Sequence, residues 1–146
     1  MLYTITSLSD PLLALIKDDP VRPDIPIEFR VSESCCVYVL LDDEYSKPQA
    51  VVCVARKGFV PHNVIELAAQ DLNVPSVAVF YTIWSYSPGA GRRLIQEAQR
   101  SIRVEYTGIK TFVTLSPPTE MARTFHLRNG AGVLRVNSDT VNYIYD

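Results

Sequence analysis

The chain has 146 residues, 47% of them hydrophobic and 21% charged, with a formal net charge of −2. That length suffices for one domain that buries roughly 70% of the surface its unfolded form exposes, so neither a disulfide nor a structural metal is needed for stability. The charge balance argues against a broad nucleic-acid-binding face. The longest apolar run, Val74 to Trp84, is broken by Pro75 and Ser76 and falls short of the ~20 residues that span a bilayer.

Three cysteines make an odd count, and Cys35 and Cys36 sit side by side in a predicted strand, where they point to opposite faces. Buried, reduced thiols are the expectation. No Cys-x-x-Cys pair occurs, and His62 and His126 lack the neighbours of a metal site, so no metal is expected. The N-terminus begins Met1-Leu2-Tyr3-Thr4 without a basic segment, which predicts a cytoplasmic protein with no membrane partner.

In chain order, Leu2 to Ile5 reads as a first strand. Ser9-Asp10-Pro11 predicts a helix start, because Ser or Asp caps free amides and Pro fits the first turn; the helix runs to about Lys17. Asp18 to Pro26 holds three prolines among acidic residues and predicts a mobile loop. Cys35 to Leu41 and Gln49 to Ala55 are β-branched-rich runs around the connection Asp42 to Pro48, which predicts two central antiparallel strands.

Asn63 with Glu66 resembles a capping box, and Val64, Leu67 and Ala68 give the short helix after it one apolar face. His62, just before that cap, reads as an exposed loop residue. Val77 to Trp84 is nearly continuous apolar and aromatic sequence, as expected of a strand covered on both faces. The turn Ser87-Pro88-Gly89-Ala90-Gly91-Arg92-Arg93 follows. Leu94, Ile95, Ala98 and Ile102 then repeat at helical spacing.

The last third reads as a strand over Ile109–Leu115, then Ser116-Pro117-Pro118, a short helix, Phe125-His126-Leu127-Arg128-Asn129-Gly130-Ala131, and two C-terminal strands ending in Asn142-Tyr143-Ile144-Tyr145. The sum is one α/β or α+β domain over residues 1–146, a mixed sheet covered by helices.

Two features carry chemistry. Glycines at the start of a helix let the backbone approach an anion, whose charge the unpaired amides and the helix dipole favour; Ser87, Gly89, Ala90, Gly91 and Arg92 are therefore the candidate pyrophosphate site. The same glycines also suit a turn that holds no ligand. The second feature is the group Ser116, His126 and Tyr143. Each also has a structural reading: Ser116-Pro117 as the end of a strand, His126 as an amphipathic-helix residue, Tyr143 and Tyr145 as aromatic strand residues, and Asn129-Gly130 as a helix C-terminus.

The order of elements resembles the GNAT acyltransferase fold, whose strand-turn-helix unit binds the pyrophosphate of coenzyme A through Gln/Arg-x-x-Gly-x-Gly/Ala. The matching stretch is Tyr86-Ser87-Pro88-Gly89-Ala90-Gly91, with Tyr86 in place of the usual longer polar residue. Thr114-Leu115-Ser116-Pro117, Phe125 to Ala131 and Asn142 to Tyr145 are similar in order and wording to three motifs of malonyl-CoA decarboxylase, itself GNAT-like; Phe80-Tyr81-Thr82-Ile83 also resembles its strand before the glycine turn. That enzyme's helical domain, and its long helical insertion between the Leu-Ser-Pro and Phe-His-Leu motifs, have no counterpart in these 146 residues.

The resemblance implies a GNAT-like, mostly antiparallel mixed sheet flanked by helices. It implies a coenzyme A thioester as substrate, no metal, and Ser116 and His126 as a catalytic pair supported by Tyr143. It further implies that the imidazole holds the serine and delivers a proton to the carbanion left by carbon dioxide. The alternatives are an N-acyltransferase using acetyl-CoA and a non-catalytic acyl-CoA-binding module, with the chain a monomer or homodimer and no nucleic-acid partner.

Overall fold

The computed structural model describes residues 1–44 and 46–146. Seven strands form one sheet: β1 (Leu2–Ile5), β2 (Cys35–Leu41), β3 (Pro48–Lys57), β4 (Val77–Ser85), β5 (Thr111–Thr114), β6 (Gly132–Val136) and β7 (Val141–Tyr145). Their order across the sheet is β1-β2-β3-β4-β5-β7-β6. Every neighbouring pair is antiparallel except β4 and β5. The helices are α1 (Ile27–Arg30), α2 (Val64–Ala68), α3 (Ala90–Glu105) and α4 (Glu120–Arg128), with a 3-10 helix over Pro11–Asp18. Among the described residues no helix is long and apolar enough to cross a membrane.

Alternation along the strands supplies two apolar layers. Cys36, Tyr38 and Leu40 face α3, whose Leu94, Ile95, Ala98 and Ile102 pack onto them; Cys35, Val37, Val39 and Leu41 face the other way, towards the 3-10 helix and α2. The adjacent cysteines thus do face opposite sides, and all three thiols are free and buried. Local capping follows the sequence pattern. Asp10 accepts the Leu12 N–H at 2.9 Å and Asn63 accepts the Glu66 N–H at 2.8 Å. Glu66 reaches back one residue further than a standard capping box, accepting the His62 N–H at 2.8 Å. His62 is exposed, as expected. Of the connection Asp42 to Pro48, Tyr45 lies outside the described residues.

The proline-rich segment after the 3-10 helix departs from expectation. Instead of a mobile loop it is a strap pinned by a buried ion pair: Arg30 Nη1 donates to Asp19 Oδ2 at 2.7 Å, and both side chains are fully buried. Asp19 Oδ1 accepts from the Val21 and Arg22 amides and from Thr82 Oγ1 of β4, at 2.8–2.9 Å. Arg30 also donates to the carbonyls of Ile25 and Arg22. Burial by itself pushes the Asp19 carboxyl up, but the hydrogen bonds from Arg22, Arg30, Val21 and Thr82 outweigh it and hold the group below its ordinary range. Prolines reduce the strap's freedom, and the pair decides which single conformation it takes.

β4 carries the other feature that shapes the site. Cys53 lies opposite Thr82 and Val54 opposite Phe80, so Tyr81 is an extra residue on β4, a bulge. Below it the pairing with β5 is regular and ends at Phe80 with Thr114. Above it the two strands part. Arg22 of the strap spans the gap, its Nη2 donating to the Leu115 carbonyl at 3.0 Å and its Nε to that of Tyr81 at 3.4 Å.

Removing one partner of a buried ion pair leaves the other charge unpaired in a low-dielectric interior. In urea titrations Asp19→Ala is expected to cost about 3–5 kcal/mol. Arg93→Ala, which breaks the exposed pair with Glu97, is expected to cost less than about 1 kcal/mol.

Candidate functional site

The divergence of β4 and β5 opens a cavity of about 310 Å³, walled by β4 from Phe80 to Ser85, by Leu115 to Pro117, and by Met121, Ala122, Phe125 and His126 of α4. Pro20 and Val21 of the strap close one side, and Gly91 of α3 closes another. The lining is largely apolar. It includes no Asp, Glu, Lys or Arg, and the polar residues along it are Tyr81, Thr82, Trp84, Ser85, Ser116, Thr119 and His126.

Ser116 and His126 therefore reach the same cavity, although no hydrogen bond joins them. Ser116 lies just past β5 and is fixed by a two-way backbone bridge to Val141, 2.9 Å in each direction. Its hydroxyl donates to Thr114 Oγ1 at 2.8 Å. His126 is on the inner face of α4, a helix started by Thr119, whose hydroxyl accepts the Ala122 N–H at 3.2 Å. The imidazole stacks on Tyr143, with centroids 5.0 Å apart and planes at 28°, and meets the Phe125 ring edge-on. Its Nδ1 is 2.7 Å from Tyr145 Oη. Tyr143 links the two groups, because its ring supports the imidazole while its amide donates to Thr114 Oγ1 at 3.0 Å.

The expectation that the imidazole holds the serine and acts as an acid near neutral pH is thus not what the geometry provides. Desolvation lowers the His126 pKa to about 4, so the ring is neutral at pH 7. Burial raises the Tyr145 phenol, which stays protonated. Tyr145, absent from the sequence-derived site, is the residue that hydrogen-bonds the imidazole; its signal was the spacing of two, which puts it on the same face of β7 as Tyr143.

At the glycine turn, Gly89 has φ of 78°, a left-handed conformation that favours glycine, and caps α3 without a side-chain hydrogen bond. Ala90 N–H is taken by the Ser87 carbonyl at 3.2 Å. The first bond of the helical ladder is Arg93 N–H to Gly89 O, at 3.3 Å, so the amides of Gly91 and Arg92 precede it. Gly91 has a packing reason of its own: a Cβ there would lie 3.0 Å from the Phe125 ring. Its absence lets α4 press against the start of α3, which brings Gly91 and His126 to one cavity, while Ser87, Gly89, Ala90 and Arg92 lie outside its lining. Arg92 is exposed and Ser87 half-buried. Tyr86 turns away from the helix start: its hydroxyl donates to Asp18 Oδ2 at 2.8 Å and accepts from Trp84 Nε1 at 3.0 Å. Among the described residues, no group of three or more His, Cys, Asp or Glu side chains is placed to hold a metal ion.

No family model and no curated protein matches the sequence. Solved structures do match. Malonyl-CoA decarboxylase from Rhodopseudomonas palustris superimposes with a TM-score of 0.76 at 20% identity, over 99% of this chain and 59% of that one. The enzyme from Cupriavidus metallidurans gives 0.75 at 19%, over 99% and 60%. A protein of the GNAT family from Desulfovibrio desulfuricans gives 0.64 at 15%, over 100% and 98%. The chain spans about three fifths of these decarboxylase chains, and at such identities the likeness establishes the fold. The chain has a GNAT-like fold that resembles the malonyl-CoA decarboxylase domain.

The low His126 pKa has a measurable consequence. The unfolded chain takes up a proton at about 6.5 that the folded imidazole refuses until about 4, so stability is fully present above pH 6.5 and falls as pH drops through that window. The loss amounts to roughly 3 kcal/mol. Urea titrations at stepped pH are expected to show it, and His126→Gln to remove that part of the dependence.

Proposed function

We propose that this chain binds a coenzyme A thioester, with the pyrophosphate on the helix-start amides of Gly91 and Arg92 and the acyl group between β4 and α4, and releases carbon dioxide from a malonyl-type substrate. The observation that carries the reading is the pairing of a largely apolar cleft with two hydrogen-bonding groups, Ser116 and His126, at its wall. Loss of carbon dioxide converts a localised carboxylate charge into one spread over a thioester enolate. A low-dielectric lining stabilises the dispersed charge relative to the concentrated one.

The enolate oxygen needs donors, and the neutral imidazole supplies one through the nitrogen not engaged with Tyr145. Ser116 supplies the second by turning its hydroxyl from Thr114 to the ligand. Tyr143 holds both in place from β7. The proton that completes acetyl-CoA is drawn from solvent water, and the hydroxide left behind returns to solvent, where it is neutralised. In this role His126 is a neutral electrophile and not an imidazolium acid.

Transfer of an acetyl group to an amine is the second reading, favoured by the fold shared with GNAT proteins. An ammonium acceptor must first lose a proton, and no carboxylate lines the cavity to take it. The segment of the strap at Pro20 and Val21 also covers one side of the cleft.

The test is carbon dioxide release from malonyl-CoA by the purified chain. Ser116→Ala and His126→Ala are each expected to lower kcat by about 10²–10³-fold. A His126→Ala variant as active as the parent, or acetyl transfer to an added amine with no carbon dioxide formed, would overturn the proposal.

A further inference from the structure

The site described so far leaves one buried polar contact without a role, the 2.7 Å approach of Tyr145 Oη to His126 Nδ1. We propose that Tyr145 is a positioning residue that holds His126 in the tautomer with its proton on Nε2, so that the imidazole presents a neutral N–H donor to the cleft.

Three observations carry this. First, a phenol and a neutral imidazole can share a hydrogen bond in two senses, and the stronger one has O–H donating to nitrogen. The imidazole lone pair is by far the better base, and the phenol the better acid. Second, the ring cannot readily exchange its two nitrogens: Tyr143 stacks on it at 5.0 Å, Phe125 meets it at 81° and Tyr145 at 75°. Both His126 and Tyr145 are buried, at 4% and 6% exposure. Third, among the described residues Nε2 has no hydrogen-bond partner, and His126 lines the cavity. With Nδ1 occupied, Nε2 is the atom left for a ligand.

The choice of a phenol over a carboxylate fits a neutral role. A carboxylate behind an imidazole orients it and also stabilises its cation, which makes it a better base. A phenol orients the ring and offers no negative charge to the cation. The arrangement selects for a donor that stays uncharged while an oxyanion forms in front of it. The catalytic consequence rests on the decarboxylase reading; the tautomer itself does not.

The test is nitrogen-resolved NMR of the imidazole at pH 7. The chain has two histidines, so His62→Gln leaves a single ring to observe. The expected pattern is a protonated Nε2 and a bare, hydrogen-bonded Nδ1, replaced by a tautomer mixture in Tyr145→Phe with the fold retained by circular dichroism. A protonated Nδ1, or a mixture, in the protein carrying Tyr145 would overturn the proposal without any need for the variant to fold; so would a Tyr145→Phe protein with an unchanged pattern. If the tautomer is as expected and malonyl-CoA yields no carbon dioxide, the reaction assignment fails and the positioning role stands. If both hold, Tyr145→Phe is expected to lower kcat and leave KM unchanged.

Discussion

The Asp19–Arg30 ion pair is the constraint that fixes the strap along one side of the cleft. Both of its side chains are fully buried and densely hydrogen-bonded: the carboxylate meets two backbone amides, the Thr82 hydroxyl and the guanidinium, and the guanidinium directs four of its five N–H groups to two carbonyls, the carboxylate and Cys53 Sγ. That dense bonding is what makes two buried charges tolerable, since the cost of taking them from water is offset only when their lone pairs and protons find partners. The result is a strap of fixed shape lying across the strand bulge. Arg22, carried by the strap, then ties the carbonyls of the two parting strands.

The cleft itself arises from a mismatch within the sheet. Antiparallel pairing holds β4 to β3 along its length, while parallel pairing holds it to β5 for only four residue pairs. The bulge at Tyr81 bends β4 at the point where β5 ends, and no strand fills the gap. α4 and the start of α3 cover it instead, at a distance set by the lack of a side chain at Gly91. One glycine thus serves packing while its neighbour Gly89 serves the turn, although the two look alike in sequence.

Within that cleft the state of His126 depends on exclusion of water. Aromatic rings on three sides of His126 remove the water that would stabilise its cation, and the ring titrates well below its ordinary range. The Ser116 hydroxyl is held by Thr114 and not by the imidazole. The two groups therefore share a cavity without a hydrogen bond between them, a different arrangement from a serine bonded to a base.

Much of this was legible in the residues. The boundaries of β1 and β2, the paired strands β2 and β3, the caps at Asp10 and Asn63 and the buried face of α3 all follow from alternation, helical spacing and capping chemistry, which act over a few positions. Motif order pointed to the GNAT-like fold and to Ser116, His126 and Tyr143 as groups to look for. The strap was misread, because Asp19 finds Thr82 across 63 positions and Arg30 across 11, and a proline-rich acidic stretch gives no sign of such partners. Tyr145 escapes sequence reading for the same reason: which of the two alternate tyrosines stacks on the imidazole and which hydrogen-bonds it depends on how α4 lies against β7. The sequence by itself determined the elements and the residue types available for chemistry, since those depend on local conformational preference. Only the tertiary structure decided the open cleft, the neutral imidazole and its phenol partner, because burial and long-range hydrogen bonding exist only once the sheet is assembled.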